Sequence, residues 1–160
     1  MDYIFSPWRY RYVSDRPPES ACVLCAKLQE GDDADHLVLH RAVHNAVLLN
    51  LFPYTTGHLM IVPYQHAARL AETAPAARTE MMELAARAEQ VLESEYHPDG
   101  LNLGLNIGAA AGAGIAGHLH LHVLPRWAAD ANFMTVVGET RVLPEDLPRT
   151  YQRLRPYFSP

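Results

Sequence analysis

The sequence predicts an α+β fold, a five-stranded antiparallel sheet with one long helix and short flanking helices. Five short segments rich in Val, Leu and Ile, punctuated by Pro, Gly and Thr, read as strands. Three of them precede and two follow a single long helical stretch. A parallel sheet would instead alternate strands with helices, so the strands here are expected to pair antiparallel with the helices packed against them. The length of 160 residues suffices for a core without staples, and 49% hydrophobic with 19% charged residues is a globular balance, so residues 1–160 are read as one domain.

Taken in order, residues 1–20 mix aromatics with Pro7, Pro17 and Pro18 and show no clean period, which reads as an irregular arm in which Trp8, Arg9, Tyr10 and Arg11 serve packing, the alternatives being stacking on a base or a dimer contact. ACVLCAKLQEG fits a short helix ending at Gly31, and DDAD after it a solvated loop. HLVLHRA, NAVLLNLFPY and GHLMIVPYQH are the first three strands. The long helix has Thr73 as its expected N-cap and Pro75 in its first turn. Met81, Leu84, Ala85, Ala88, Val91 and Leu92 fall on one face, and it closes before Pro98 and Gly100. LNLGLNIG and HLHLHVLPR are two further strands joined by the loop AAAGAGIAG. Residues 138–160 form a tail with a short helix, EDLPRTYQRLRPYF, started or interrupted by Pro148.

A net charge of -5 argues against a protein that covers nucleic-acid phosphates and favours small-molecule partners. No apolar run approaches the ~18 residues of a membrane span, and MDYIFSPWRYRY lacks the clean apolar stretch of an export signal, so a soluble, cytoplasmic protein is expected. The two cysteines, Cys22 and Cys25, stand as C-x-x-C, which in a reducing compartment is a metal half-site or a redox motif more often than a disulfide.

The stretch GHLHLHVLPRW concentrates the chemistry. A two-residue period puts His118, His120 and His122 on one face of a strand and Leu119, Leu121 and Val123 on the other. Burying three ionisable rings is costly unless they are bonded or coordinated. Same-face neighbours on a regular strand lie about 6 to 7 Å apart, beyond direct ring contact, and the three together span about 13 Å, too wide to ligate one ion. His36, His40, His44 and His97 share no spacing with this set and read as ordinary surface or strand residues.

HLHLHVLPR resembles the signature of the histidine triad (HIT) family, in which three histidines alternate with apolar residues and two apolar residues follow. GHLMIVPYQH resembles that family's second motif, and CVLC and LNLGLNIGAAAGAG add to the likeness, which runs from about residue 20 to 137. RWAADANFM is similar to a bacterial branch grouped with diadenosine tetraphosphate phosphorylases. The resemblance implies that His120 attacks the α-phosphorus of a nucleotide to form a covalent nucleotidyl-histidine, which phosphate or water then releases. By the same likeness His122 steadies phosphate or bridging oxygens, His58 completes the polar lining, Asn50 and Asn106 hold the nucleotide, and the loop backbone around Gly112, Gly114 and Ile115 approaches phosphate. Gly114 and Ile115 stand where many relatives carry side-chain donors, which leaves that work to the main chain. The implied activity is cleavage of a dinucleoside polyphosphate such as diadenosine tetraphosphate, by phosphorolysis or hydrolysis; the alternatives are a nucleoside phosphoramidate hydrolase or a low-turnover nucleotide-binding protein. A homodimer is implied as well. Trp127 and residues 132–134 follow the triad and are placed to close the site.

The cysteine half-site needs two further ligands, for which His66 and His118 are the candidates. The resemblance points to zinc-bearing members whose ligands fall at Cys22, Cys25, His66 and His118, a closed structural site that would pin the segment carrying His120.

Overall fold

The computed structural model describes residues 22–29, 31–128, 130 and 143–158. In chain order these form α1 (Val23–Gln29), β1 (Val38–Arg41), β2 (Asn45–Leu49), β3 (Leu59–Pro63), α2 (Pro75–Tyr96), β4 (Gly100–Leu105), a short 3-10 turn (Ala109–Ala111), β5 (Leu121–Arg126) and α3 (Leu147–Phe158). The five strands make one sheet in the order β1-β2-β3-β5-β4, every pair antiparallel, as the strand and helix pattern predicts. The arm at residues 1–20, with Trp8 to Arg11, and the segment Asn132 to Met134 lie outside the described residues.

Strands β2 and β3 are buried along their whole length because both sheet faces are covered. On one face Val47, Leu49, Leu59, Ile61, Leu121 and Val123 pack against Met81, Leu84, Ala88 and Leu92 of α2 and Leu154 and Phe158 of α3. On the other, Leu24 and Leu28 of α1 cover Val38, Ala46, Leu48, Met60 and Val62. Each of the Val, Leu, Ile, Met and Phe side chains contributes roughly 1.5–3 kcal/mol through burial. The register sets a row across this second face: Val38, Leu48, Met60, His122 and Gly104. The row is apolar beneath α1, turns polar at β5, and ends at a glycine on β4, where an added Cβ would meet nothing within 4 Å.

The long helix differs in its capping from the sequence reading. Thr73 is not the N-cap; its hydroxyl donates to the Arg69 carbonyl, and Ala74 takes the cap position with no side-chain bond. Pro75 opens the helix, which removes one N–H that a cap would otherwise have to satisfy, and Gln65 Oε1 accepts the Ala74 N–H. At the other end His97 adopts a left-handed conformation (φ 45°) and donates its N–H to the Glu93 carbonyl, so it ends the helix just before Pro98. The DDAD run also does more than face solvent. Asp32 accepts the N–H groups of Ala34 and Asp35, and Asp33 pairs with Arg41, whose Nη1 donates to the Leu28 carbonyl and so ties α1 to β1.

A second difference bears on the site. Strand β5 begins only at Leu121, so His118 and His120 precede it instead of sharing one regular strand with His122. The cause is a competing bond: the Leu119 N–H donates to the Ala67 carbonyl at 2.7 Å, which docks this segment on the loop after β3. No helix is long and apolar enough to cross a membrane among the described residues.

Candidate active site and metal centre

Two sites share the segment 118–122. The first gathers Cys22 and Cys25 at the start of α1, His66 from the loop after β3, and His118. One ligand atom from each residue lies within 4.8 Å of the others. His118 Nδ1 is 3.3 Å from Cys22 Sγ and 3.4 Å from Cys25 Sγ, and His66 Nδ1 is 3.3 Å from Cys25 Sγ. With metal bonds of about 2.3 Å to sulfur and 2.0 Å to nitrogen, tetrahedral coordination puts neighbouring S and N atoms about 3.5 Å apart, so the donor set fits a tetrahedral divalent ion. Its orientation fits too. His118 Nε2–H donates to the Pro63 carbonyl at 2.8 Å, which leaves the Nδ1 lone pair facing the thiols. Burial lowers the His118 pKa and raises that of Cys25, whose thiol also faces Cys22. The first shift keeps a lone pair on the imidazole; the second favours the protonated thiol until a metal displaces the proton.

The second site lies one step along the chain. His120 Nδ1–H donates to the His118 carbonyl at 2.7 Å, so the nitrogen that keeps its lone pair is Nε2. His122 follows with its ring centroid 4.8 Å from that of His120, edge to face. A regular strand would keep these rings apart, and the expectation of no direct contact fails because the chain leaves the β3 ladder between them. Opposite them, His58 stands just before β3, and its Nε2 lies 2.9 Å from His122 Nδ1. Both rings are buried.

The direction of the proton between His58 and His122 follows from a main-chain group. The Tyr54 N–H points at His58 Nδ1 at 3.1 Å, and an amide N–H only donates, so Nδ1 carries the lone pair and the His58 proton sits on Nε2. That proton is donated to His122 Nδ1, which places the proton of neutral His122 on Nε2. The pKa of His122 is pushed down to about 4 by burial, with His120 adding to the fall, and burial likewise lowers His120 against its bond to the His118 carbonyl. At neutral pH the site therefore holds a neutral base at His120 and a neutral donor at His122. The Tyr54 ring covers the pair, its centroid 4.8 Å from His58 and 6.0 Å from His122.

The remaining sequence-predicted residues are distributed around this pair. Asn50 accepts the Phe52 N–H on Oδ1 and turns Nδ2 toward the His58 ring at 3.4 Å, so much of its amide is engaged. Asn106 follows the end of β4 and is half-buried. Gly112 donates its N–H to the Ala109 carbonyl to close the 3-10 turn, which takes it out of the set of loop amides expected to approach phosphate. Ile115 packs with Cys22 against the α1 cluster, an aliphatic side chain following the core rather than the nucleotide. Trp127 meets Tyr96 edge-on at 6.5 Å, at the far end of β5 from the histidines.

Three contributors escaped sequence reasoning: the Tyr54 N–H, the Pro63 carbonyl and the His118 carbonyl. Gly57 is a fourth positioning element. At φ 79°, a Cβ there would lie 3.1 Å from Leu92 and 3.2 Å from Tyr96, so only glycine brings the chain into His58 at this depth. The Gly-His dipeptide before an apolar run was the available signal.

The HIT domain model matches residues 32–129, and these include His58, His66 and the whole triad. The chain belongs to the HIT family. Among its relatives, an AP-4-A phosphorylase of Mycobacterium tuberculosis is 35% identical over 96% of this chain and 83% of its own length. A bis(5'-nucleosyl)-tetraphosphatase (asymmetrical) of Schizosaccharomyces pombe is 30% identical over 58% of this chain and 50% of its own. Among solved structures, a Zn-bound histidine triad family protein of Mycobacterium smegmatis aligns with a TM-score of 0.68 at 27% identity, over 86% of this chain and 93% of that one. The three buried histidines each have a separate partner: His118 the Pro63 carbonyl, His120 the His118 carbonyl and His122 the His58 ring.

Proposed function

We propose that this chain cleaves dinucleoside polyphosphates, diadenosine tetraphosphate first among them, by transferring the nucleotidyl group to His120 and then to inorganic phosphate. The observation that carries this reading is the bond from His120 Nδ1–H to the His118 carbonyl, which fixes the tautomer and leaves Nε2 as a neutral nucleophile. The resemblance to a named AP-4-A phosphorylase along 96% of the chain supports both the substrate and the acceptor. His122 Nε2–H meets the phosphate oxygens, and His58 holds His122 in that tautomer. Gly104, opposite His122 across the β4–β5 ladder, leaves room beside the ring for the phosphate chain. Asn106 and the main chain from Gly114 to Gly117 are the assigned nucleotide and phosphate contacts, with Asn50 at the rim next to His58.

Cys22, Cys25, His66 and His118 are assigned to one zinc ion, whose chemistry when bound is to close a tetrahedral structural site. These residues then fix the His118 main chain, on whose carbonyl the His120 proton rests. A cytoplasmic location suits a site that depends on reduced thiols. A homodimer is supported by exposed Leu103 on β4, the sheet's free edge, and exposed Ile107 just after it.

The test is incubation with diadenosine tetraphosphate, with and without phosphate, resolved by chromatography. Phosphate-dependent formation of ADP and ATP is the expected result. AMP formed regardless of phosphate would replace phosphorolysis with hydrolysis, and no cleavage under either condition would overturn the reading.

A further inference from the structure

The metal cluster is open to small reagents. Of its four residues only His118 is buried; Cys22 and Cys25 are half-buried and His66 is exposed. The two thiols also stand where they can bond to each other. The Cys22 carbonyl accepts the Ala26 N–H at 3.1 Å, so the turn that opens α1 already encloses both cysteines. Residues three apart on such a turn have Cα atoms about 5 Å apart, inside the span of about 4.4–6.8 Å that a disulfide bridges. The sequence holds two cysteines in all, so the thiol chemistry of the chain is theirs. A bond between them would reach the reacting histidine by a short route. Cys22 and Cys25 Sγ lie 3.3 and 3.4 Å from His118 Nδ1, and the His118 carbonyl accepts the His120 Nδ1 proton at 2.7 Å. We propose that Cys22 and Cys25 form a reversible disulfide by exchange with a small disulfide such as oxidised glutathione, and that this frees His66 and His118 from the metal and lowers turnover at His120.

This rests on the zinc assignment and on the transfer to His120 proposed above. In the exchange one cysteine thiolate attacks a sulfur of the small disulfide, whose S–S bond breaks and whose other sulfur leaves as a thiolate. The second cysteine thiolate attacks the cysteine sulfur of the mixed disulfide, forms the Cys22–Cys25 bond and expels the remaining small thiolate. Two electrons pass from the cysteines to the reagent. No proton moves, because two thiolates enter and two thiolates leave. A disulfide sulfur carries no charge and ligates poorly, so the ion is lost to solvent as Zn²⁺ from the two imidazoles that remain. The His66 and His118 segments then keep their main-chain bond, from the Leu119 N–H to the Ala67 carbonyl, but lose the tie to α1. The His118 ring keeps the Pro63 carbonyl on one side and loses its partners on the other.

The experiment equilibrates reduced, zinc-loaded protein without air against graded ratios of oxidised to reduced glutathione. A small disulfide spares the five methionines, which a peroxide would also oxidise. Intact mass, zinc captured by a coloured chelator too weak to strip the reduced protein, and kcat with diadenosine tetraphosphate are followed together. As the ratio rises, the protein is expected to lose the mass of two hydrogens, to release its zinc over the same ratios, and to lose at least about 10-fold in kcat. Dithiothreitol with added zinc is expected to restore all three. Zinc and mass unchanged at every ratio would overturn the proposal, as would a stable glutathione adduct with no internal disulfide. A disulfide that forms and releases zinc with kcat intact would overturn the coupling to His120. Reduced protein that holds zinc but cleaves nothing would overturn the reaction proposed above, while mass and zinc would still decide the exchange; protein isolated without zinc would overturn the metal assignment and this proposal together.

Discussion

His58 and His122, sixty-four residues apart, meet nitrogen to nitrogen at 2.9 Å in a buried setting, and neither ring can reverse its proton without breaking that contact or the one from Tyr54 to His58. Replacing His58 with Phe keeps a ring in the space and removes the donor. His122 is then free to populate both tautomers. We expect kcat to fall about 10- to 100-fold, the range seen when the partner that orients an imidazole is lost, with KM changing little. An unchanged kcat would show that the orientation of His122 does not matter.

His120→Ala removes the proposed nucleophile while leaving the loop, the asparagines and His122 in place. Turnover is expected to vanish and nucleotide binding, measured by calorimetry, to persist. Full activity in this variant would refute the assignment.

Metal analysis of protein purified without added metal is expected to give about one equivalent of zinc. Cys25→Ser should lose it, lower the melting temperature and reduce kcat, because the His118 carbonyl that holds His120 is steadied by the same residue that ligates. In a chain of this size each kcal/mol lost is worth roughly 2–4 °C. Metal-free protein with native stability and full activity would contradict the link between the two sites.

The pH dependence of stability carries a sign that follows from His122. Its pKa of about 4 in the folded chain lies below the ordinary value of 6.5. Above pH 6.5 the ring is neutral in both states, and stability is full. Between about pH 6.5 and 4 the unfolded chain gains a proton that the folded chain does not, so stability falls as pH falls, by up to about 3 kcal/mol, and levels below that. Denaturant unfolding across this window is expected to show the slope in the wild type and to lose much of it in His122→Gln. Equal slopes in the two proteins would assign the dependence to other groups.

Gly57→Ala is expected to destabilise by about 1–3 kcal/mol, since it combines a left-handed backbone with contacts that make Leu92 and Tyr96 give by a few tenths of an ångström. Activity should fall further than stability alone accounts for, because His58 is the next residue. A neutral effect in thermal melts would mean that Leu92 and Tyr96 give way freely.

The strands, the long helix and the thiol half-site were legible in the sequence because each depends on residue type at a fixed spacing: alternating aliphatics, a 3.6-residue face, and a C-x-x-C pair; His66 and His118 joined that pair only through the resemblance to the HIT family. What escaped was carried by groups that every residue has. The Tyr54 N–H, the Pro63 carbonyl and the His118 carbonyl decide three tautomers, and no residue pattern announces them. The spacing of the triad was misjudged for a related reason. A two-residue period assigns the right face to Leu119, Leu121 and Val123, all buried, but it assumes a continuous ladder, and the bond from Leu119 to Ala67 interrupts that ladder at the residues that matter. Thr73 was misread because a nearby carbonyl, that of Arg69, claimed its hydroxyl first.

His118 has no spare valence: one ring nitrogen faces two thiols, the other is held by Pro63, and its carbonyl holds the neighbour that reacts. Loss of the cysteines would therefore leave that carbonyl held by the Pro63 contact and by the neighbouring bond from Leu119 to Ala67 alone.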